Sequence, residues 1–98
     1  GTARVLPAIA AFTRQNAPQV QIFADGGVRS GTDIFRMLAL GAHAVLIGRP
    51  IAIMAVGMGR TGVMSLLTHY MRELEQTLRV CGLQSLTDIT PRQITKFI

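Results

Sequence analysis

One cysteine, Cys81, stands in the 98-residue chain, so neither a disulfide framework nor a cysteine-held metal cluster is available. That usage fits a reduced compartment, and a cytoplasmic location is the expectation. Tryptophan is absent and Tyr70 is the one tyrosine, which leaves no aromatic platform on which bases would stack. Acidic residues are scarce, five against ten basic ones, for a formal net charge of +5. Such an excess raises nucleic acid as a partner. The nine arginines are spread from Arg4 to Arg92 without a run, and no nucleic-acid partner is expected. No apolar run approaches the roughly 20 residues of a membrane span. There is no signal-peptide pattern either, so no membrane span is expected. A Ser/His/Asp set, zinc-ligand spacing and a dinucleotide fingerprint are also missing. What remains is a chain 49% hydrophobic and 15% charged, a core-forming composition rather than a disordered one.

Apolar spacing divides the chain. Val5, Leu6, Ile9, Ala10 and, less regularly, Phe12 predict a helix over residues 3–13. Asn16-Ala17-Pro18 breaks it. Residues 20–24, Val-Gln-Ile-Phe-Ala, read as a buried strand that ends at Asp25-Gly26-Gly27. Ser30 and Asp33 have the spacing of a capping box. Behind them Ile34, Phe35, Met37, Leu38 and Ala39 suit a helix packed on a sheet. Gly41 stands where a left-handed helix stop belongs. Ala44-Val45-Leu46-Ile47 has the pattern of a parallel strand covered on both faces. Residues 20–47 therefore form one strand–helix–strand unit.

Pro50 suits the first turn of a helix. An apolar, Met-rich stretch follows to Gly59. Then Val63, Leu66, Leu67, Tyr70, Leu74, Leu78 and Cys81 recur at steps of three and four. Glu75 and Arg79 stand in the favourable i,i+4 order. Gly82 ends the helix, and residues 85–98 read as a short terminal helix or turn. No repeat or internal boundary divides residues 1–98.

Two runs carry the chemistry: Asp25-Gly26-Gly27-Val28-Arg29, and Gly48-Arg49 about twenty residues on. Each closes an apolar strand, and each sets bare glycine backbone beside a guanidinium. Close N–H groups and fixed positive charge are what a dianionic phosphate requires. Taken singly, Arg29 and Arg49 are ambiguous, since most arginines are solvated surface charges. Asp25 has two readings, a carboxylate for sugar-like hydroxyls or a residue of an Asp-Gly turn. The equivalent placement after consecutive strands is the argument for one phosphate clamped from two sides, as the loops after strands 7 and 8 of a (β/α)8 barrel do. The helix starting near Ser30 adds its positive end. The fold class expected is α/β, as the C-terminal part of such a barrel: its last two strands and their helices. A complete barrel needs roughly 250 residues, so the chain would be its last quarter to third. His43 precedes the second strand, on the barrel face that serves stability. His69 lies in the long helix, and Cys81 in its apolar stripe reads as core.

The stretches Phe23 to Asp33 and Ala39 to Pro50 resemble the C-terminal part of the FMN-dependent α-hydroxy-acid oxidase and dehydrogenase family, and the resemblance runs on to Leu83-Gln84-Ser85-Leu86-Thr87-Asp88-Ile89. It implies a (β/α)8 barrel with FMN as cofactor. Asp25 would meet the ribityl chain, and Gly27, Arg29, Gly48 and Arg49 would hold the phosphate, with Gly26 in the same cofactor-binding turn. The implied reaction oxidises a small L-2-hydroxy acid to a 2-oxo acid by hydride transfer to flavin, in a homo-oligomer. The family's catalytic His and substrate-binding Arg, in a His-Gly-Gly-Arg run, would fall before Gly1. These 98 residues alone are therefore expected to be inactive. Two other readings stay open. One is a different phosphate-binding barrel, of the isopentenyl-diphosphate isomerase or inosine-monophosphate dehydrogenase type. The other is a non-catalytic α/β module that self-associates through open strand edges.

Overall fold

The computed structural model describes residues 1–93. Its elements run α1 (Thr2–Asn16), β1 (Phe23–Ala24), α2 (Gly31–Ala39), β2 (Ala44–Val45), α3 (Arg49–Val80) and a 3-10 turn, Leu86–Asp88. β1 and β2 are parallel neighbours, with Phe23 opposite Ala44 and Ala24 opposite Val45. The predicted strand–helix–strand unit is thus present.

Both strands are shorter than the apolar runs 20–24 and 44–47 suggest. Backbone pairing extends a little past them: the N–H of His43 donates to the Ile22 carbonyl at 2.8 Å, and that of Leu46 to the Ala24 carbonyl at 2.8 Å. A two-stranded sheet has no outer neighbours to regularise its edges. Burial is incomplete for the same reason. Ala24 is buried, whereas Phe23 and Leu46 are exposed, a correction to the expectation of strands covered on both faces.

Helix α2 is apolar on two sides and sits between two cores. Met37 packs toward the sheet with Leu6, Ala24, Val28 and Ala42, while Phe35 packs with Leu74 and Leu78 of α3. The α2 start is half of the expected capping box. Ser30 Oγ accepts from the Asp33 N–H at 3.0 Å, but the Asp33 carboxylate takes the N–H of Arg29 rather than that of Ser30. At its end the Gly41 N–H donates to Leu38 and the Ala42 N–H to Met37. This paired closure turns the chain straight back into β2.

Helix α3 begins at Arg49 with Pro50 in its first turn, and it is interrupted at Gly59 (φ 62°, ψ −150°). Only glycine visits that backbone region readily. The interruption separates a short apolar helix, 49–58, from the long one predicted by the 3.6-residue stripe. Of that stripe Tyr70, Leu74 and Leu78 are buried. The ion pairs among the described residues are Arg36–Asp33 and His69–Glu73, so the expected Glu75–Arg79 pair is not formed. Taken as one element, α3 is long and apolar enough to cross a membrane by length and composition alone, but the interruption at Gly59 divides it into two shorter helices. Residues 85–93 carry the expected turn, with Ser85 and Asp88 capping it reciprocally. The remainder of that predicted terminal segment, 94–98, lies outside the described residues.

Candidate functional site

Parallel pairing in this register brings the C-terminal ends of β1 and β2 side by side. The two glycine–arginine runs that follow them therefore meet. Asp25, Gly26, Gly27, Arg29, Gly48 and Arg49 all line one cavity of about 990 Å³. Its apolar wall includes Val28, Leu46, Ile53, Met54 and Leu66, and Tyr70 completes the lining.

The backbone at the turn is built for close approach. Gly26 and Gly27 have φ of 106° and 74°, values that a side chain at Cβ would strain. The turn is pinned from α1, whose Thr2 hydroxyl donates to the Asp25 carbonyl at 2.7 Å. The Asp25 carboxylate takes no hydrogen bond from the described residues, so its acceptor capacity is free. Gly48 is different. Its φ is −109°, which any residue adopts, and nothing lies within 4 Å of where its Cβ would stand. Packing therefore does not require glycine at this position, which lines the cavity.

The two helix starts differ. The N-terminus of α2 is already occupied: Asp33 takes the Arg29 N–H, Ser30 takes the Asp33 N–H, and Glu73 of α3 takes the Gly31 N–H at 3.1 Å. Two carboxylates at that end offset the helix dipole. The expectation that α2 lends its positive end to an anion is thereby corrected. The N-terminus of α3 carries no side-chain cap. Pro50 has no N–H, so the first turn offers those of Arg49 and Ile51, which lack intrahelical partners by geometry, and the helix opens at the cavity with Arg49 as its first residue. Neither Arg29 nor Arg49 has an acidic partner among the described residues. An anion at this end of α3 meets two unpaired guanidiniums and unspent N–H groups.

In the sequence Tyr70 is one residue of an apolar stripe. It is buried, at 4% exposed, and it lines the cavity. Burial pushes its phenol above the ordinary 10.0; Glu73 and Asp33 push the same way, and Arg29 opposes them. The folded protein therefore holds this proton more tightly than the unfolded chain does. The stability this contributes is fully present below pH 10.0 and is lost as pH rises through the folded-state value. Urea unfolding at stepped alkaline pH is expected to show that decline in the wild type and a weaker one in Tyr70→Phe. Identical profiles would contradict it.

Neither histidine lines the cavity. His43 accepts the Ile22 N–H on Nδ1 at 2.9 Å, at the opposite end of the strands. His69 is paired with Glu73 at 3.4 Å and is exposed. Cys81 is half-buried at the end of α3, against the second core.

The sequence model of the FMN-dependent dehydrogenases matches residues 1–96. The chain belongs to that family. It is 42% identical over 89 residues to an L-lactate oxidase of Roseobacter sp. (strain GAI101), which spans 91% of this chain and 24% of the oxidase. It is 45% identical over 76 residues to glycolate oxidase 5 of Oryza sativa subsp. japonica, spanning 78% of this chain and 21% of that protein. Among solved structures, the recombinant flavin-binding domain of baker's yeast flavocytochrome b2 superposes with a TM-score of 0.87 at 32% identity, over 93% of this chain and 24% of that one. An (S)-mandelate dehydrogenase does so with a TM-score of 0.84 at 34% identity, again over 93% of this chain and 24% of that one. The chain thus spans about a quarter of the length of the relatives it matches. The family depends on FMN, and the cavity fits the phosphate end of that cofactor. It offers unpaired guanidiniums, positive-φ glycines, an uncapped helix start and the open space beside Gly48.

Proposed function

We propose that this chain is the phosphate-holding C-terminal quarter of a (β/α)8 barrel, in an FMN-dependent oxidoreductase that converts small L-2-hydroxy acids to 2-oxo acids. One observation carries the reading. The two glycine–arginine runs, at the ends of adjacent parallel strands, line a single cavity. Barrels of this class place phosphate sites at that face.

In this reading Arg29 and Arg49 neutralise the dianion from two sides, each through a planar fork of N–H donors. The N–H groups of Gly26 and Gly27 and the free first turn of α3 take the remaining phosphate oxygens. The carboxylate of Asp25, without a protein partner, accepts hydrogen bonds from ribityl hydroxyls. FMN, when bound, supplies the hydride acceptor. The chain supplies grip, position and a dry apolar wall from Ile53, Met54 and Leu66. Neither histidine lines the cavity, and its one carboxylate, Asp25, is assigned to the ribityl hydroxyls. By the family resemblance, the acid–base histidine and the substrate-binding arginine belong to sequence outside these 98 residues. The family match favours this reading over the isomerase-type and inosine-monophosphate dehydrogenase-type barrels. Homo-oligomeric assembly and a cytoplasmic location go with the same proposal.

The test is turnover. The natural full-length protein, supplied with FMN and a dye acceptor, is expected to reduce the dye with L-lactate, glycolate or L-mandelate. The 98-residue chain alone is expected to give none. Dye reduction by the short chain, or a full-length protein inert to all three acids, would overturn the assignment.

A further inference from the structure

The cavity holds one polar side chain that the glycine–arginine reading does not use. Tyr70 lines the same space as Arg29 and Arg49, yet it arrives from α3, some twenty residues beyond the cradle in sequence. Its residue is 4% exposed, and its hydroxyl has no hydrogen-bond partner among the described residues. No buried side-chain polar atom among the described residues lacks a partner, so this hydroxyl reaches the surface of the cavity rather than being sealed in the core. There it is free to donate to a ligand.

Its placement is fixed by a tight contact. A Cβ on Gly31 would collide with the Tyr70 carbonyl and come within 2.5 Å of the Leu74 nitrogen. The backbone of α3 is thus pressed against the start of α2 at the level of Tyr70. This sets the phenol beside the loop that carries Arg29, whose charge it senses. The same loop begins with the positive-φ glycines. A phenol so placed donates one O–H and remains protonated throughout the neutral range.

We propose that the Tyr70 hydroxyl is a further ligand of the phosphate monoester, donating a hydrogen bond to an oxygen that the arginines and glycine N–H groups approach from the other side. The inference rests on the phosphate reading of the cavity and extends it. Tyr70 is a binding residue for the cofactor tail, contributed by the long helix rather than by the strand-end loops. It couples the seating of α3 against α2 to occupancy of the site.

Riboflavin, which has the same ring and ribityl chain without the phosphate, separates this role from packing. Tyr70→Phe keeps the ring and removes only the hydroxyl. In the natural full-length apoprotein, Tyr70→Phe is expected to weaken FMN about tenfold, the order expected for one hydrogen bond to a charged group. Riboflavin affinity is expected to stay at the wild-type value. Equal losses for both flavins would mark Tyr70 as a packing residue and overturn the proposal. Unchanged FMN affinity would overturn it as well. The double variant Arg29→Ala/Arg49→Ala, titrated in parallel, distinguishes the two levels. If it keeps the wild-type preference for FMN over riboflavin, the phosphate reading itself fails, and the Tyr70 proposal fails with it. If it loses that preference while Tyr70→Phe retains it in full, only the Tyr70 proposal is wrong.

Discussion

Replacing Arg29 and Arg49 together by alanine is expected to lower FMN affinity by about two to four decades in the natural full-length protein. Each guanidinium–phosphate contact is charge-assisted, and its removal costs about 1.5–3 kcal/mol. Two such losses correspond to that range of dissociation constants. Both side chains are exposed in the free chain, so the lower end is the better expectation where salt screens them. Nothing in the described residues takes over the charge, since neither arginine belongs to an ion-pair network. Arg→Lys at each position keeps the charge but not the planar fork, and a partial loss is expected. Flavin fluorescence or calorimetric titration measures all of these. Wild-type FMN affinity in the double alanine variant would remove the basis for a clamped phosphate.

The second large effect is on stability. Gly31→Ala is expected to destabilise the fold by about 2–3 kcal/mol, because overpacking a tight contact costs on that order. The added Cβ would collide with the Tyr70 carbonyl and come within 2.5 Å of the Leu74 nitrogen and 2.6 Å of the Glu73 Cβ. These are backbone and β-carbon atoms, not flexible side-chain ends. Relief requires α3 to move off α2, which opens the Phe35–Leu74–Leu78 core. The movement also stretches the bond from the Gly31 N–H to Glu73. For a chain this size the apparent Tm should fall by about 10 °C. Thermal unfolding followed by circular dichroism reads it directly. A melting curve that coincides with wild type would mean that the α2–α3 contact is loose.

The site was more legible in the sequence than the fold around it. Gly26-Gly27 and Gly48-Arg49 are local signals, since the need for bare backbone beside fixed charge is written in adjacent residues. The helices were legible through their 3.6-residue period and their glycine stops. Strand length was not. The runs 20–24 and 44–47 are apolar enough for burial on both faces, but a strand is regular only as far as it has neighbours. Here each has one. The occupied start of α2 was hidden for another reason. Glu73 lies 42 residues from the Gly31 N–H it accepts, and no local pattern announces a cap from so far along the chain. Tyr70 shows the same limit. Its place in an apolar stripe predicts burial, but periodicity cannot say that the residue lines the same cavity as the two glycine–arginine runs. What brings it there is the absence of a side chain at Gly31, which lets two helices approach.

A crystal structure of the natural full-length protein with FMN bound tests the central claim most directly. The account predicts the phosphorus in the cleft between the ends of β1 and β2, with both the Arg29 and Arg49 guanidiniums and the N–H groups following Gly26 and Gly48 in hydrogen-bond reach of its oxygens. A phosphate seated elsewhere, or held by only one of the two runs, would contradict it.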